Sequence, residues 1–329
     1  GEGSHTLSVT ATDAAGNVGT ATNTITFTVS TAAATAPTLV VNNDANSALT
    51  PVANNGVTND STPTLTGTAT AGNVITIYDG TTVLGTTTAG TGNTWSFTSP
   101  TLSNGSHALS VTATNAAGTV STAVSSTVVI DTIAPVNSTL VIANDNGTTP
   151  VTVANGGSTN DTTPRLSGVV STAEAGGIVR VYDNISGNLV QVGSAVVQAD
   201  GTWSTNSSAL TAGTHPLSVT VTDAAGNVSG STTASVIIDT TPPAVQLTNT
   251  VNNNGTTAVA ITNNGSTNDS TPALSGTAEA GSLVVVSENG VAVGSVVAAA
   301  NGTWSIITSI LGEGSHTLSV TATDAAGNV

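Results

Sequence analysis

The sequence predicts an all-β chain of tandem β-sandwich domains, and three observations lead to this prediction. Residues 1–18, GEGSHTLSVTATDAAGNV, recur unchanged as residues 312–329, and similar segments end at Val120 and Val228. Hydrophobic residues within each repeat alternate with polar ones, as they do in half-buried strands. Single histidines and tryptophans return about 100 residues apart, which is the size of an autonomous domain. These landmarks are His5, His107, His215 and His316, and Trp95, Trp203 and Trp304.

The alternation is clear in residues 215–238. Leu217, Val219 and Val221 alternate with serine and threonine, and β-branched residues return over 233–238 after a D-A-A-G-N turn. β-branched residues at alternating positions favour strands, and Gly-Asn and Asp-Gly pairs favour tight hairpins. About seven short strands per repeat predict the immunoglobulin type of β-sandwich. Because the chain has no cysteine, this sandwich forms without a disulfide.

The strands of one repeat can be assigned in order. T-N-D-T-T-P at 159–164 precedes the second strand, and A-E-A-G at 173–176 is the turn that follows it. D-T-T-P-P at 239–243 is the linker, because proline lacks a backbone donor and fixes φ. We predict strands over residues 138–143, 165–170, 178–183, 190–197, 202–204, 216–222 and 234–238.

The period divides the chain into three domains and part of another, which we expect to form an extended rod. Residues 1–36 are predicted to be the C-terminal strands of a partial repeat. Repeats 1, 2 and 3 are predicted to cover residues 37–134, 135–242 and 243–329, and repeat 3 lacks its last strand. The chain is therefore expected to be cut from a longer array.

Composition excludes several classes of function. The chain carries 18 acidic and two basic residues, for a net charge of −16, which argues against binding to nucleic acid or to anionic membranes. Without cysteine there is no thiolate metal site. No apolar run approaches the length of a membrane-spanning helix, so no direct membrane insertion is expected.

The ordered motifs identify a family resemblance that covers essentially the whole chain. T-N-D-[ST]-T-P, G-T-A-E-A-G, G-T-W-S, L-S-V-T-A-T-D-A-A-G-N and V-x-I-D-T-x-x-P resemble the bacterial Ig-like repeats in the extender region of giant type I-secreted RTX and biofilm-associated surface adhesins. The resemblance implies an extracellular stalk at the bacterial cell surface, stiffened by Ca²⁺, that projects a distal adhesive domain and supports adhesion and biofilm formation.

The residues also predict where calcium would bind. In a sandwich of this type the B–C and F–G loops lie at the end where the chain enters the domain, so they face the preceding linker. Three carboxylates then meet at the joint before a repeat, and Ca²⁺ takes 6–8 oxygen ligands. The predicted ligands are Asp131, Glu174 and Asp223 at the joint before repeat 2 (joint 2), and Asp239, Glu279 and Asp324 at the joint before repeat 3 (joint 3).

The joint before repeat 1 (joint 1) has lost all three acids together. Its linker, residues 30–37, contains no aspartate, and Thr70 and Asn115 replace the acids of the two loops. Loss of a shared ion would explain why all three acids are missing together, so joint 1 is predicted to be metal-free and more flexible. Aspartate also favours such turns through its own backbone hydrogen bonds, and turn chemistry at Asp13, Asp223 and Asp324 remains the alternative.

A second acidic motif, Asn-Asp, lies in the A–B loop of every repeat near that repeat's exit linker. It could add a ligand to the next joint, or it could cap the turn before a proline, and we favour the cap. Asp13 is a further weak ligand candidate. The motif's aspartates are Asp60, Asp161 and Asp269, with Asp44 and Asp145 in the same loops.

The other polar landmarks indicate structural roles. One periodic histidine per repeat, with no cysteine nearby, makes a poor zinc site. Serine, histidine and aspartate all occur, but no G-x-S-x-G elbow or other activated nucleophile is present, so the chain is predicted not to be an enzyme. The solitary tryptophans are expected to anchor the cores rather than to stack on sugars.

Two alternative functions remain. The chain could be part of a self-assembling extracellular filament or matrix, in which identical chains donate strands to each other. Less favoured is direct binding of carbohydrate or a host protein, because the sequence offers almost no aromatic platform. In the stalk interpretation the partners are the neighbouring repeats of the same chain.

Overall fold

The computed structural model describes residues 1–21, 23–45 and 47–329. This described part is built of 27 strands and a single short 3₁₀ helix, which confirms the all-β prediction. No helix in it is long and apolar enough to cross a membrane. The chain forms two compact units, one of Gly1–Ala134 with Thr222–Val228 and one of Pro135–Val221 with Ser229–Val329.

The N-terminal segment forms a two-stranded antiparallel ribbon of β1 Gly3–Ser8 and β2 Thr24–Val29. Its apolar side is open: Leu7 is 59% exposed and Phe27 is 43% exposed, and Phe27 stacks on His5.

Repeat 1 contains two sheets, of order β4-β3-β6-β9 and β5-β11-β10-β7-β8. Its strands are β3 Val40–Asn43, β4 Thr50–Val52, β5 Gly56–Thr58, β6 Thr64–Thr68, β7 Val74–Asp79, β8 Thr82–Thr88, β9 Thr94–Thr98, β10 Gly105–Thr114 and β11 Val124–Ile130.

Repeat 2 has the same two sheets, of order β13-β12-β15-β18 and β14-β20-β19-β16-β17. The 3₁₀ helix Thr172–Glu174 lies between β15 and β16. The strands are β12 Val141–Asn144, β13 Val151–Val153, β14 Ser158–Thr159, β15 Arg165–Val169, β16 Ile178–Ile185, β17 Asn188–Val196, β18 Thr202–Asn206, β19 Gly213–Thr222 and β20 Thr232–Ile238.

Repeat 3 has a four-stranded sheet of order β22-β21-β23-β26 and a three-stranded sheet of order β25-β24-β27. Its strands are β21 Val245–Asn252, β22 Val259–Ala260, β23 Ala273–Ala278, β24 Leu283–Glu288, β25 Val291–Val297, β26 Thr303–Ile307 and β27 Leu318–Thr323.

The strand predictions for repeat 2 are close to the structure, with one shift and two omissions. The first predicted strand, 138–143, is β12 Val141–Asn144, because Ser138 and Thr139 are used in contacts with the neighbouring strand and with Trp203. The short strands β13 and β14 were not predicted. Strand β14 pairs in parallel with β20. This long-range contact is not predicted by the Asn- and Gly-rich sequence of the loop.

The tryptophans anchor the cores, as predicted. Trp203 is 2% exposed and packs with Leu166 and Val181 in the core of repeat 2. It lies against Gly168, where an added Cβ would be 2.0 Å from the carbonyl oxygen of Thr139. Trp95 and Trp304 are each 4% exposed, so no tryptophan offers a surface platform for sugar stacking.

Both basic residues of the chain lie in strands of repeat 2. Arg165 begins β15, where its Nε donates to Ser204 Oγ at 2.9 Å, and Arg180 lies within β16.

Candidate interdomain sites

The D-A-A-G-N turn is braced by its own aspartate. In repeat 2, Asp223 Oδ1 accepts the backbone N–H groups of Gly226 and Asn227, each at 2.8 Å, and Oδ2 accepts the side-chain amide of Asn227 at 2.8 Å. A carboxylate offers about four lone-pair sites, so most of them are used within the turn. The turn-chemistry alternative is therefore realised in the structure.

The corresponding turns of the partial repeat and repeat 3 are built in the same way. Asp13 Oδ2 accepts the Asn17 amide at 2.9 Å, and Asp324 Oδ2 accepts the Asn328 amide at 2.8 Å. Burial raises the pKa of Asp324, but the hydrogen bonds from Asn328 and the backbone amides of its turn outweigh burial and leave the pKa below its ordinary value.

The asparagine that ends the turn reaches the preceding linker. At joint 3, Asn328 Nδ2 donates to the carbonyl oxygen of Asp239 at 2.9 Å. At joint 2, Asn227 Nδ2 donates to the carbonyl oxygen of Asp131, also at 2.9 Å. The F–G turns thus contact the linker as predicted from the sandwich topology, but the contact is made by an amide and a main-chain carbonyl. The sequence prediction missed both asparagines.

A second hydrogen bond runs in the opposite direction. The backbone N–H of Asn160 donates to the carbonyl oxygen of Ala326 at 3.0 Å, and that of Asn59 donates to Ala225 at 3.2 Å. Asn59 and Asn160 are the first residues of the Asn-Asp motifs, so these motifs do lie beside the next joint. Ala225 and Ala326 are 8% and 5% exposed, because the preceding A–B loop covers them.

Joint 1 keeps a hydrogen-bonded contact after losing its acids. Thr119 Oγ1 donates to the carbonyl oxygen of Ala32 at 2.5 Å, and Asn115 Nδ2 donates to the same oxygen at 3.3 Å. Asn115 and Thr119 occupy the positions of Asp223 and Asn227 in the turn. Loss of a shared ion is therefore not the sole account of the paired substitutions: a threonine hydroxyl replaces the donor that the aspartate would have held in place.

The linker aspartates cap their own linkers. Asp131 Oδ1 accepts the N–H of Ile133 and Asp239 Oδ1 accepts that of Thr241, each at 3.0 Å. These bonds stabilise the chain just before the proline that ends each linker.

The two predicted glutamates lie in the B–C turns. Glu174 ends the 3₁₀ helix and is half-buried. Glu279 is exposed, and its N–H donates to the carbonyl oxygen of Ala244 at 3.2 Å. Within the described residues, no group of three or more histidine, aspartate or glutamate side chains is placed to hold a metal ion. The predicted ligands are carboxylates, whose oxygens are the kind of ligand that calcium takes, and the shared calcium site stays a prediction.

The aspartate of each Asn-Asp motif is a turn cap, which is the interpretation favoured from the sequence. Asp161 is fully buried, and its carboxylate accepts the backbone N–H groups of Thr163 at 2.9 Å and Asp145 at 3.0 Å. Asp60 and Asp269 make the same two kinds of bond. Of the two weaker candidates, Asp44 accepts the hydroxyl of Thr64 and Asp145 accepts the amide of Asn206.

Each full repeat also contains a histidine–carboxylate pair that the sequence prediction missed. Nδ1 of His107, His215 and His316 lies 2.7, 2.6 and 2.7 Å from Asp79, Asp183 and Glu288 respectively. The other ring nitrogen of each contacts the carbonyl four residues earlier. The available signal was an acid at the end of β7 and β24 and within β16, 28 or 32 residues before the histidine.

In the pairs of His107 and His316, the arrangement favours the protonated imidazole. Burial lowers the pKa of His107, but the bonds to Asp79 and to the Ser103 carbonyl outweigh burial and raise the pKa above its ordinary value. For His316, the bond to Glu288 raises the pKa. The pairs of His107 and His215 join two strands of one sheet, and the pair of His316 ties the segment before β27 to β24. These roles agree with the structural role predicted for the histidines.

A model of a known domain family matches most of the chain. The model of the family described as "Bacterial Ig-like domain" matches residues 32–132, 134–240 and 244–329. No curated protein matches the chain.

Several solved structures are similar at low scores. A tetra-tandem repeat in the extending region of a large adhesion protein is 22% identical, covering 99% of this chain and 79% of its own, with a TM-score of 0.30. The CbhA fibronectin(III)-like modules of Clostridium thermocellum are 18% identical, covering 61% and 94%, with a TM-score of 0.37. The BSP domain of a biofilm associated protein is 17% identical, covering 57% and 29%, with a TM-score of 0.22. At such scores and identities, none of the three bears on function.

Proposed function

The chain belongs to the bacterial Ig-like domain family, and we propose that it is an extender segment, a stalk of tandem repeats in a bacterial cell-surface adhesin. The observation that carries the proposal is that the turn of one repeat is hydrogen-bonded to the linker before it, through Asn227 to Asp131 and through Asn328 to Asp239. Contacts of this kind transmit orientation from one domain to the next, which a stalk requires. In this proposal repeats 1, 2 and 3 keep the limits predicted from the sequence.

Calcium binding at joints 2 and 3 is the finer part of the proposal. The carboxylates of Asp131, Glu174, Asp223, Asp239, Glu279 and Asp324 are the proposed donors. In a chain of net charge −16, carboxylates gathered at joints 2 and 3 would repel each other, and a divalent cation would offset that repulsion locally. Calcium would have to compete with the Asn227 and Asn328 amides for one aspartate oxygen, which favours weak binding in the range of about 10⁻⁴–10⁻³ M that is typical of extracellular modules.

The biological setting is proposed from the sequence motifs. Their resemblance to extender repeats of type I-secreted RTX and biofilm-associated adhesins supports an extracellular location and a role in adhesion and biofilm formation. We assign no catalysis to the chain.

The test is small-angle X-ray scattering of the whole chain in calcium and in chelator, together with calorimetric titration of calcium. The proposal expects two weak sites and a larger or more sharply defined maximum dimension in calcium. Asp131→Asn with Asp239→Asn should abolish both effects. Asp13→Asn is the matched control, because the Asp13 turn has no linker contact among the described residues. Identical profiles without calcium binding would remove calcium from the proposal.

A second candidate, left open by the sequence analysis, is a self-assembling filament in which identical chains donate strands to each other. Sedimentation velocity over a hundredfold range of concentration separates the two. A filament subunit polymerises as concentration rises, whereas a stalk segment keeps one sedimentation coefficient.

A further inference from the structure

Joints 2 and 3 share a pair of direct hydrogen bonds that run in opposite directions. We propose that each pair is a metal-independent latch between consecutive repeats. The asparagine of the T-N-D motif is the socket, and the D-A-A-G-N turn of the next repeat is the plug. The latch of joint 3 consists of Asn160, Ala326, Asn328 and Asp239, and that of joint 2 consists of Asn59, Ala225, Asn227 and Asp131.

The plug is preorganised by its aspartate. A side-chain amide has two N–H donors. In Asn328, Asp324 Oδ2 accepts from the amide nitrogen at 2.8 Å, and the same nitrogen donates to Asp239 O at 2.9 Å. The aspartate therefore fixes the direction of the amide before the repeats meet, so little rotamer entropy is lost on contact. Asn328 is 8% exposed, and shielding from water strengthens such bonds.

The socket is also preformed. The carbonyl oxygen of the Asn160 side chain accepts the amide of Asn144 at 3.0 Å, which holds Asn160 in place. The plug approaches through Gly327, whose φ is +94° and whose added Cβ would lie 3.5 Å from Asn160 Nδ2. Glycine serves both the positive φ and the close approach at this position.

The same geometry recurs at joint 2. Asn43 donates to the side chain of Asn59 at 3.2 Å, and an added Cβ on Gly226 would lie 3.5 Å from Asn59 Nδ2. Two independent joints with the same contacts indicate a rule of assembly rather than an accident of one interface.

Turns and motifs outside these two joints provide an internal reference. Ala15 and Ala117, which correspond to Ala225 and Ala326, are exposed, and Asn268, which corresponds to Asn160, is exposed as well. A buried second alanine therefore marks a plug that is seated in a socket.

The latch deepens the proposed stalk function, and it is tested in chelator so that calcium plays no part. Amide hydrogen exchange of the whole chain is measured by NMR. We expect the Asn59 and Asn160 amides to exchange more slowly than the Asn268 amide. Asn328→Ala should speed exchange at Asn160 about five- to tenfold, which is the effect of losing one shielded hydrogen bond, and should leave Asn59 unchanged.

Reciprocal and matched variants complete the test. Asn227→Ala should speed exchange at Asn59 and leave Asn160 unchanged, so the proposal is still tested if one variant does not fold. Asn17→Ala removes the same bond to a turn aspartate, at 2.9 Å from Asp13, and should change neither amide. Exchange at Asn160 as fast as at Asn268, or unaffected by Asn328→Ala while core amides stay protected, would overturn the latch. Either result leaves the calcium titration to decide the proposed function separately.

Discussion

Repeats 1 and 2 have the same two sheets but fasten them with different polar groups. In repeat 2, Trp203 Nε1 donates to Ser138 Oγ at 2.6 Å, whereas in repeat 1 Trp95 Nε1 is buried without a partner and Pro37 stands at the position of Ser138. The joints differ in a similar way. At joint 2 the donor is the amide of Asn227, whereas at joint 1 the hydroxyl of Thr119 donates beside a longer bond from the Asn115 amide. The alternation of apolar residues thus specifies the sandwich, while individual polar hydrogen bonds differ between repeats or are absent from one of them.

The largest expected change in stability tests whether repeats 1 and 2 share the same backbone packing at corresponding glycines. An added Cβ at Gly67 or Gly168 would lie 2.0 Å from the carbonyl oxygen of Thr38 or Thr139. Because backbone must move, Gly67→Ala and Gly168→Ala should each lower the free energy of unfolding of their repeat by about 3 kcal/mol. Chemical denaturation monitored by residue-resolved amide hydrogen exchange measures the free energy of unfolding of both repeats in one chain.

The control for the glycine pair is Gly92→Ala, whose added Cβ would meet nothing closer than 3.9 Å. If repeat 1 tolerated its substitution and repeat 2 did not, the repeats would differ in backbone and not only in polar groups.

The second prediction concerns a substitution that gives repeat 2 the unpartnered tryptophan N–H found in repeat 1. Ser138→Ala leaves the buried Trp203 N–H without an acceptor, as in repeat 1, and should destabilise repeat 2 by about 1–2 kcal/mol. Urea denaturation monitored by tryptophan fluorescence measures the change. Ser231→Ala, at an exposed position of the same repeat, should have almost no effect, and equal losses from the two variants would remove the role of the Trp203 bond.

A smaller effect is expected at joint 1. Thr119→Val removes the hydroxyl donor to Ala32 and should cost about 1 kcal/mol in the coupling between the linker and repeat 1. Thr119→Ser keeps the donor and should behave like the parent chain. Exchange rates at the linker amides report the coupling, and identical rates in the valine and serine variants would contradict the contact.

The smallest effect is a pH dependence of repeat 1. The pKa of His107 is raised in the folded state above its ordinary value of 6.5. The stability it contributes is therefore fully present below the unfolded pKa and is lost as pH rises through the folded pKa. Denaturation midpoints of repeat 1 should fall as pH is raised from about 6 to about 9, and His107→Gln should remove this part of the slope. A midpoint that rises over that window would show the sign to be wrong.

The fold could be read from the sequence because local pattern decides it. Alternating residues such as Leu217, Val219 and Val221 are buried in β19 as expected, and the strands from 165 to 238 were placed within a few residues. The parallel strand β14 could not be found in this way, since its pairing with β20 depends on a contact far along the chain.

The site was only partly predictable. The F–G turn lies at the linker as predicted, but Asn328 rather than Asp324 makes the contact. Asparagine is favoured in such turns in any case, so its presence in the sequence does not indicate a role at the joint. The Asn-Asp motif was predicted either to add a ligand to the next joint or to cap a turn. In the structure Asp161 caps the turn, and Asn160 contacts the next joint through a backbone hydrogen bond. Which neighbour uses a polar group depends on three-dimensional proximity that spacing alone does not give.

The positions of the two arginines have a practical consequence for proteolysis. A protease that cleaves after basic residues can attack the chain only after Arg165 and Arg180, and both bonds lie within paired strands of repeat 2. Cleavage then requires repeat 2 to open, and when opening is fast relative to cleavage its rate reports the population of the open form. Trypsin cleavage thus reports the unfolding of repeat 2 and does not report the unfolding of the neighbouring repeats.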